Sequence, residues 1–291
     1  MFISTDNGTV RNIVGDRAAL RMISEVGFNG IDYTFYAMEP GQDIFELPEE
    51  KRYALAMQLR EDAEKYGIAF PQSHAPFDYQ YGEDRSGKNY QGIVKALQFS
   101  GWLGCPQCVI HTLKFPRTEM SDEQSDEINR EFLHSFLPKC EEYNVDIGVE
   151  NLFQYDSKRK YYYGHHGTPE SMNAFVDSLE SPRYKVCCDL GHASLVGVEA
   201  EDFIAGMNAD RLTMLHVQDI DYLDDSHTIP YLGKQNWDAI AASLAKIGFR
   251  GYMNLEVLHF YEQFPADLLP VALRCAADVA RQVAAKVDSL R

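Results

Sequence analysis

The chain has 291 residues, 45% of them hydrophobic, with a formal net charge of −17. That length suits one large domain or two ordinary ones, and a barrel of alternating strands and helices takes about 250 residues as a single unit. The charge disfavours nucleic acid as a non-specific partner, since an acidic field repels phosphate backbones. No stretch approaches the roughly 20 apolar residues of a membrane span, and the N-terminus has no basic-then-apolar signal pattern. The expectation is a cytoplasmic protein with no membrane partner.

Strand and helix patterns alternate along the chain. FIST (2–5) reads as a strand, and DRAALRMISEVG (16–27) as a helix stopped by Gly27. GIDYTF is the second strand, followed by the amphipathic EEKRYALAMQLREDAEKYG, which ends in a glycine as helix C-termini often do. IAFPQSH is the third strand, in which Pro71 belongs near an end or at an irregularity. SGKNYQGIVKALQFSGWLG and CVIHT supply the next helix and strand. SDEQSDEINREFLHSFLPKCEEYN has helical spacing and an acid-rich start that suits the helix dipole.

VDIGVE (145–150) is a fifth strand, rich in β-branched residues as a strand buried on both faces should be. TPESMNAFVDSLE opens like a capped helix at Thr168 and Pro169. KVCCD, EAEDFIAGMNA, LTMLHV, NWDAIAASLAKIG and GYMNLEV complete eight strand–helix repeats, and residues 265–291 form a last helix. The fold class is α/β, a single (β/α)8 TIM barrel over residues 1–291; an open doubly wound sheet is the alternative, but no Gly-rich phosphate fingerprint follows the first strand. The two longest strand-to-helix connections, 152–167 and 219–235, would lie on the C-terminal face where barrel active sites are built.

Six cysteines are present. Cys187 and Cys188 are neighbours on one strand and point to opposite faces, which suits buried thiols better than a disulfide framework. Cys105 and Cys108 form a lone C-P-Q-C with no second pair to complete a zinc site. All six read as reduced thiols.

Four apolar runs end in a metal-ligating group: Glu150, Asp189, His216 and Glu256. An ionised carboxylate loses several kcal/mol on burial, roughly, unless it is paired or metal-bound. Singly, each could cap a helix or meet a lysine. Four at equivalent ends of successive strands point to one shared cation, with a hard donor set suited to Mn²⁺, Mg²⁺ or Co²⁺ and also open to Zn²⁺ or Fe²⁺. Histidines stand at the same level elsewhere. His74 ends IAFPQSH, His111 ends CVIH, His192 lies three residues past Asp189, and His227 follows Asp225 and Ser226 in the second long loop. His134, His165, His166 and His259 have weaker positional support.

The ordered motifs V-E-N (149–151), C-D-L-G-H (188–192), L-H-V-Q-D (215–219) and L-E (255–256) resemble the sugar isomerase/epimerase superfamily of xylose-isomerase-like TIM barrels. That group includes ketose 3-epimerases, hydroxypyruvate isomerase, inosose dehydratase and zinc-dependent apurinic endonucleases. The resemblance spans nearly the whole chain and implies one divalent ion (Mn²⁺, Zn²⁺, Mg²⁺ or Co²⁺) on Glu150, Asp189, His216 and Glu256. It further implies that Glu150 and Glu256 exchange a substrate proton as catalytic acid/base groups, and that His192 touches a substrate oxygen. His74, His111, His227, Asp225 and Lys158 are candidate substrate contacts, with Lys158, Arg159 and Lys160 able to neutralise an anionic substrate. Trp102, Phe77, Phe153, Tyr155 and Trp237 could wall the pocket.

The expected partner is a small sugar or polyol-derived substrate, and the apolar C-terminal helix either packs across a homo-oligomer or closes the barrel. Two departures matter. Ketose 3-epimerases carry an arginine six residues past the metal histidine, where this chain has Tyr222, and the surrounding loop is acidic. The rival reading is the endonuclease branch, whose trinuclear zinc site would use His74, His111, Glu150, Asp189, His192, His216, Asp225, His227 and Glu256. A metal-free carbohydrate-binding barrel would predict broken ligands, and none is broken.

Overall fold

The computed structural model describes residues 1–36, 38, 44–117 and 119–291. Eight parallel strands form one sheet: β1 (Ile3–Asp6), β2 (Gly30–Thr34), β3 (Ala69–His74), β4 (Gln107–Ile110), β5 (Asp146–Glu150), β6 (Tyr184–Asp189), β7 (Leu212–His216) and β8 (Met253–Leu255). Each pairs with its sequence neighbour from β1 through β7, and β8 returns to β1 with Ile3 opposite Met253. Between β7 and β8 a bridge joins Val217 to Leu255, with Val217 N donating to Asn254 O at 2.8 Å and Glu256 N to Val217 O at 3.1 Å. The result is a TIM barrel ringed by helices, as expected.

Local sequence explains the elements. Glu49–Tyr66 is an 18-residue helix that starts with two acids and stops at Gly67, whose left-handed φ of 66° a side chain would resist. Ser121 and Gln124 form a reciprocal capping box at the start of helix Asp122–His134. The expected single helix over 121–144 is two, because Pro138 has no N–H to give and its ring collides with the carbonyl one turn back. The second helix, Leu137–Tyr143, takes Pro138 into its first turn, where no N–H is needed. Short helices directly after β1, β6 and β8 (Gly8–Val14, Leu190–Leu195, Leu258–Glu262) add to the expected set. Pro71 sits where the β2–β3 register shifts, between the Gly30–Ala69 and Asp32–Gln72 pairs. That is the irregularity a strand proline requires.

The large core lies between sheet and helices, and a small one fills the barrel with Val109, Cys187 and Met214. Cys188 faces the outer core, so the adjacent thiols do part to opposite sides. Gly148 must lack a side chain because a Cβ there would sit 2.5 Å from Met214 Cε. All six cysteines are free, five of them buried. No helix among the described residues is long and apolar enough to cross a membrane.

Candidate active site

Strand side chains alternate between faces, so residues two apart share one. That parity sends Glu150 on β5, Asp189 on β6 and His216 on β7 into the barrel mouth, with Asp6 and His74 from β1 and β3. His111 and Glu256 follow one residue beyond β4 and β8. All except His111 are buried. One ligand atom from each of Glu150, Asp189, His216 and Glu256 lies within 4.8 Å of the others.

His216 is the hinge of the arrangement. Its Nδ1 is 3.0 Å from Glu150 Oε1 and 3.2 Å from Glu256 Oε2, and its Nε2 is 3.4 Å from Asp32 Oδ2. Asp32 is itself fixed by Gln72 and Asn254, whose amides donate to Oδ2 at 2.8 and 2.9 Å. Such a carboxylate behind an imidazole orients the ring and sets which nitrogen faces an ion. Asp189 caps helix Leu190–Leu195 by accepting from His192 N at 2.7 Å. Gln218 Nε2 donates to both Asp189 oxygens and to Asp225 Oδ1, and its Oε1 accepts from His227 N, tying the second long loop to the centre. Asn151 exchanges hydrogen bonds with the backbone of Asp189 at 2.7 and 2.8 Å.

Three imidazoles have their tautomer set by backbone carbonyls. Nδ1 of His74, His192 and His227 donates to Ala75 O (2.8 Å), Asn151 O (3.0 Å) and Glu256 O (3.0 Å). Each is left with Nε2 as its second site. Nε2 of His192 and His227 stands 3.4 and 3.0 Å from Asp225 Oδ2. His74 Nε2 is 3.1 Å from His111 Nε2, and Glu150 Oε2 is 2.9 Å from the latter.

Electrostatics couple the acids of this cluster to its histidines. Among the described residues, only imidazoles are ion-paired with Glu150, Glu256, Asp189 and Asp225. Burial opposes a charge on His227, yet the hydrogen bond and charge of Asp225 lift its pKa to about 10. Burial likewise opposes His216, and Glu256 and Glu150 override it to hold the ring well above its ordinary value. Burial pushes Asp189 up to about 6. Burial also pushes Glu150 and Glu256 up, but the neighbouring histidines prevail and both are held below the usual range. Glu150 Oε2 and His216 Nε2 are buried without a hydrogen bond. Crowded carboxylates, the unbonded Glu150 oxygen and oriented imidazoles fit a divalent cation.

The mouth opens onto a cavity of about 360 Å³. Phe77 stacks on His111 with ring centroids 4.6 Å apart, and Phe153 meets His192 edge-on at 4.9 Å. Tyr36 Oη donates to Glu256 Oε1 at 2.9 Å. Lys114 lines the same cavity with its ammonium 5.4 Å over the Phe153 ring, and burial lowers its pKa.

His74, His111, His192, Asp225 and His227 all line this cavity, and so does His259, which the sequence supported weakly. Lys158 does not. It is exposed at the turn of a hairpin that pairs Gln154–Asp156 with Tyr161–Tyr163, where its backbone N–H donates to Asp156. The cation that reaches the cavity is Lys114, outside the basic stretch 158–160 that the sequence offered. Of the aromatic candidates, Phe77 and Phe153 wall the cavity. Trp102 packs on Tyr53, Trp237 donates to Asp219, and Tyr155 is exposed on the hairpin. Tyr222, where ketose 3-epimerases have arginine, donates to Glu199. Asp32, Tyr36, Lys114 and Gln218 were not anticipated. Asp32 carried a signal as an acid in mid-strand, and Gln218 as part of the L-H-V-Q-D motif; Tyr36 and Lys114 carried none.

The chain belongs to the xylose isomerase-like TIM barrel family, whose model matches residues 20–276. It is 27% identical to the uncharacterized protein y4fM of Sinorhizobium fredii, over 56% of this chain and 51% of that one. It is 28% identical to the uncharacterized protein MJ1311 of Methanocaldococcus jannaschii, over 56% and 55%. The matched region is thus about half the length of either curated relative. Among solved structures the fold is similar to a D-tagatose 3-epimerase-like protein (18% identity, TM-score 0.73, 99% of both chains). It is also similar to the IolI protein with a bound zinc atom (16% identity, TM-score 0.74, 97% of this chain and 99% of that one). A third likeness is to an L-ribulose 3-epimerase (13% identity, TM-score 0.70, 100% and 96%).

Proposed function

We propose that the protein is a divalent-metal-dependent isomerase or epimerase of a sugar or sugar derivative. The observation that carries this reading is the position of Glu150 and Glu256, whose carboxylates flank His216 at 3.0 and 3.2 Å at the floor of one cavity. Glu150, Asp189, His216 and Glu256 would hold the ion. When bound, it supplies a Lewis acid that polarises a carbonyl and acidifies the adjacent C–H. Both glutamates are held below their usual range, so each is ionised at neutral pH and able to accept a proton. The Tyr36 hydrogen bond fixes Glu256 Oε1, and two flanking carboxylates can remove a proton and return it on the other face or the next carbon. His74, His111, His192, His227 and Asp225 offer donors and acceptors to hydroxyl groups, while Phe77 and Phe153 exclude water. The similarity of fold to an L-ribulose 3-epimerase and to a D-tagatose 3-epimerase-like protein supports the substrate class.

The test is solvent-hydrogen exchange into a panel of ketoses in heavy water, followed by NMR with metal-loaded protein. Exchange into at least one sugar is expected, and Glu150→Gln should slow it by about 10²–10⁴-fold. Unchanged exchange in a folded, metal-bearing Glu150→Gln would remove the glutamate from the mechanism.

A second reading is favoured by one observation. Three potential ligand groups adjoin: His74 with Glu150 and His216; Glu150 with Asp189, His216 and Glu256; His192 with Asp225 and His227. A trinuclear zinc phosphodiesterase of the apurinic endonuclease kind would use such a set. The net charge of −17 opposes it, as does a cavity whose lysine and arginine complement among described residues is Lys114 alone. Three zinc ions at the barrel mouth together with cleavage of abasic DNA would establish it.

A further inference from the structure

Outside the barrel mouth, a second histidine–carboxylate cluster lies where the loop after β5 meets helix Asp122–His134. After its hairpin the loop returns through His165 and His166. His165 Nε2 is 2.7 Å from Asp126 Oδ1, and His166 Nε2 is 3.4 Å from the same oxygen. His165 Nδ1 is 3.1 Å from Asp122 Oδ1. One ligand atom from each of Asp126, His165 and His166 lies within 4.8 Å of the other two.

His166 is the telling residue. The residue is 4% exposed, its ring is stacked on Phe175 at 4.2 Å, and its Nε2 has no hydrogen-bond partner. A buried ring nitrogen facing a carboxylate oxygen without a bond between them is an unmet demand. Ligands about 2.0–2.1 Å from a tetrahedral zinc stand about 3.3 Å from one another, so separations of this order need only small adjustments. Asp122 behind His165 supplies the outer carboxylate that commonly orients a metal-bound imidazole. A void of about 20 Å³, room for a water, touches both rings. Asp126 and His165 are part-exposed, which gives an ion a way in.

We propose that Asp126, His165 and His166 form a second divalent-metal site of the zinc class, with Asp122 orienting His165, which fastens the loop after β5 to helix Asp122–His134. Two imidazoles and one carboxylate select a borderline-soft ion over magnesium or calcium. The consequence reaches the cavity, because Lys114 and Phe153 border both the void and the cavity. The hairpin also holds the other long loop through Tyr162 Oη, which donates to Leu223 O at 3.0 Å.

The experiment is anomalous diffraction at the zinc edge from crystals of chelator-stripped protein reloaded with Zn²⁺, for wild type, His166→Gln and Asp189→Asn. A peak among Asp126, His165 and His166 is expected in wild type and Asp189→Asn and absent from His166→Gln. Desalted His166→Gln should carry one zinc equivalent fewer than wild type with an unchanged circular dichroism spectrum. Zinc should also slow thermolysin cleavage of the hairpin in wild type and not in His166→Gln. No peak at these residues, or equal zinc content in folded His166→Gln, overturns the site. A peak without protection of the hairpin overturns the fastening role. Because Asp189→Asn tests the barrel mouth separately, failure there leaves this result readable.

Discussion

The rim of the barrel has two unlike halves. From β5 to β8 it presents Glu150, Asp189, His216 and Glu256, while β3 and β4 present His74 and His111. Glu150 stands on the boundary, with Oε1 toward His216 and His192 and Oε2 toward His111 and His74. The same side chain behaves oppositely on the two sides. Burial brings His111 down to about 4 although Glu150 opposes it, whereas His216, the more deeply buried of the two, is lifted by the carboxylates around it. The number of acids within reach, not burial, decides whether an imidazole here holds a proton. The acidic half is where carboxylates converge on one imidazole; the imidazole half places two histidine rings beside a single carboxylate.

Chelating the proposed cation is the most direct way to break this asymmetry. Chelation should abolish hydrogen exchange into substrate, and readdition of a divalent ion should restore it; exchange by fully stripped protein, checked by elemental analysis, would contradict the proposed chemistry. Glu256→Gln, on the acidic half, should lower kcat by about 10²–10⁴-fold in steady-state assays. Asp32→Asn weakens the support behind His216 without touching the cavity. Competition with a chromophoric chelator should show about 10–100-fold weaker metal binding.

On the imidazole half, His111→Gln should raise KM by about 3–10-fold, the weight of one hydrogen bond, and leave the metal count at the mouth unchanged. Loss of an ion in that variant would move the assignment to the trinuclear site. At Asp6 the expected effect is on stability rather than activity. Burial raises its pKa from 3.8 to about 7, against a hydrogen bond from Val257 N. The folded chain therefore binds a proton that the unfolded chain has lost between these values, and metal-free stability falls as pH rises through that window. The slope is of order 1 kcal/mol per pH unit. Urea melts at pH 5 and 7.5 should show Asp6→Asn, which keeps an acceptor for Val257, gaining on wild type at the higher pH.

Glu150, Asp189, His216 and Glu256 could be found in the sequence because a strand's two-residue period carries an end residue to a known place. The neighbourhood of Lys114 and Lys158 could not. Both lie in loops after strands, and only the folded path of the hairpin turns Lys158 outward and leaves Lys114 inside. Asp32 was within reach of the same burial argument that picked out Glu150, but a mid-strand acid needs its amide partners Gln72 and Asn254, contributed by strands distant in sequence. Trp237, readable as a sugar platform, anchors a loop instead. Asp219 accepts from its indole and from the backbone of Ile220, Tyr231 and Gln235, gathering the 219–235 connection around one carboxylate. Pattern locates such residues; it does not say which face of a loop they serve.

The narrowest join in the ring of strands lies between β7 and β8, where the bridge from Val217 to Leu255 completes the circle. His216 and Glu256 stand on its two lips, 3.2 Å apart at their nearest ligand atoms. Whatever grips both side chains therefore acts as a clasp on the hoop. The amide protons of Val217 and Glu256, which stitch that join, become its gauge, exchanging with solvent more slowly when the clasp is shut.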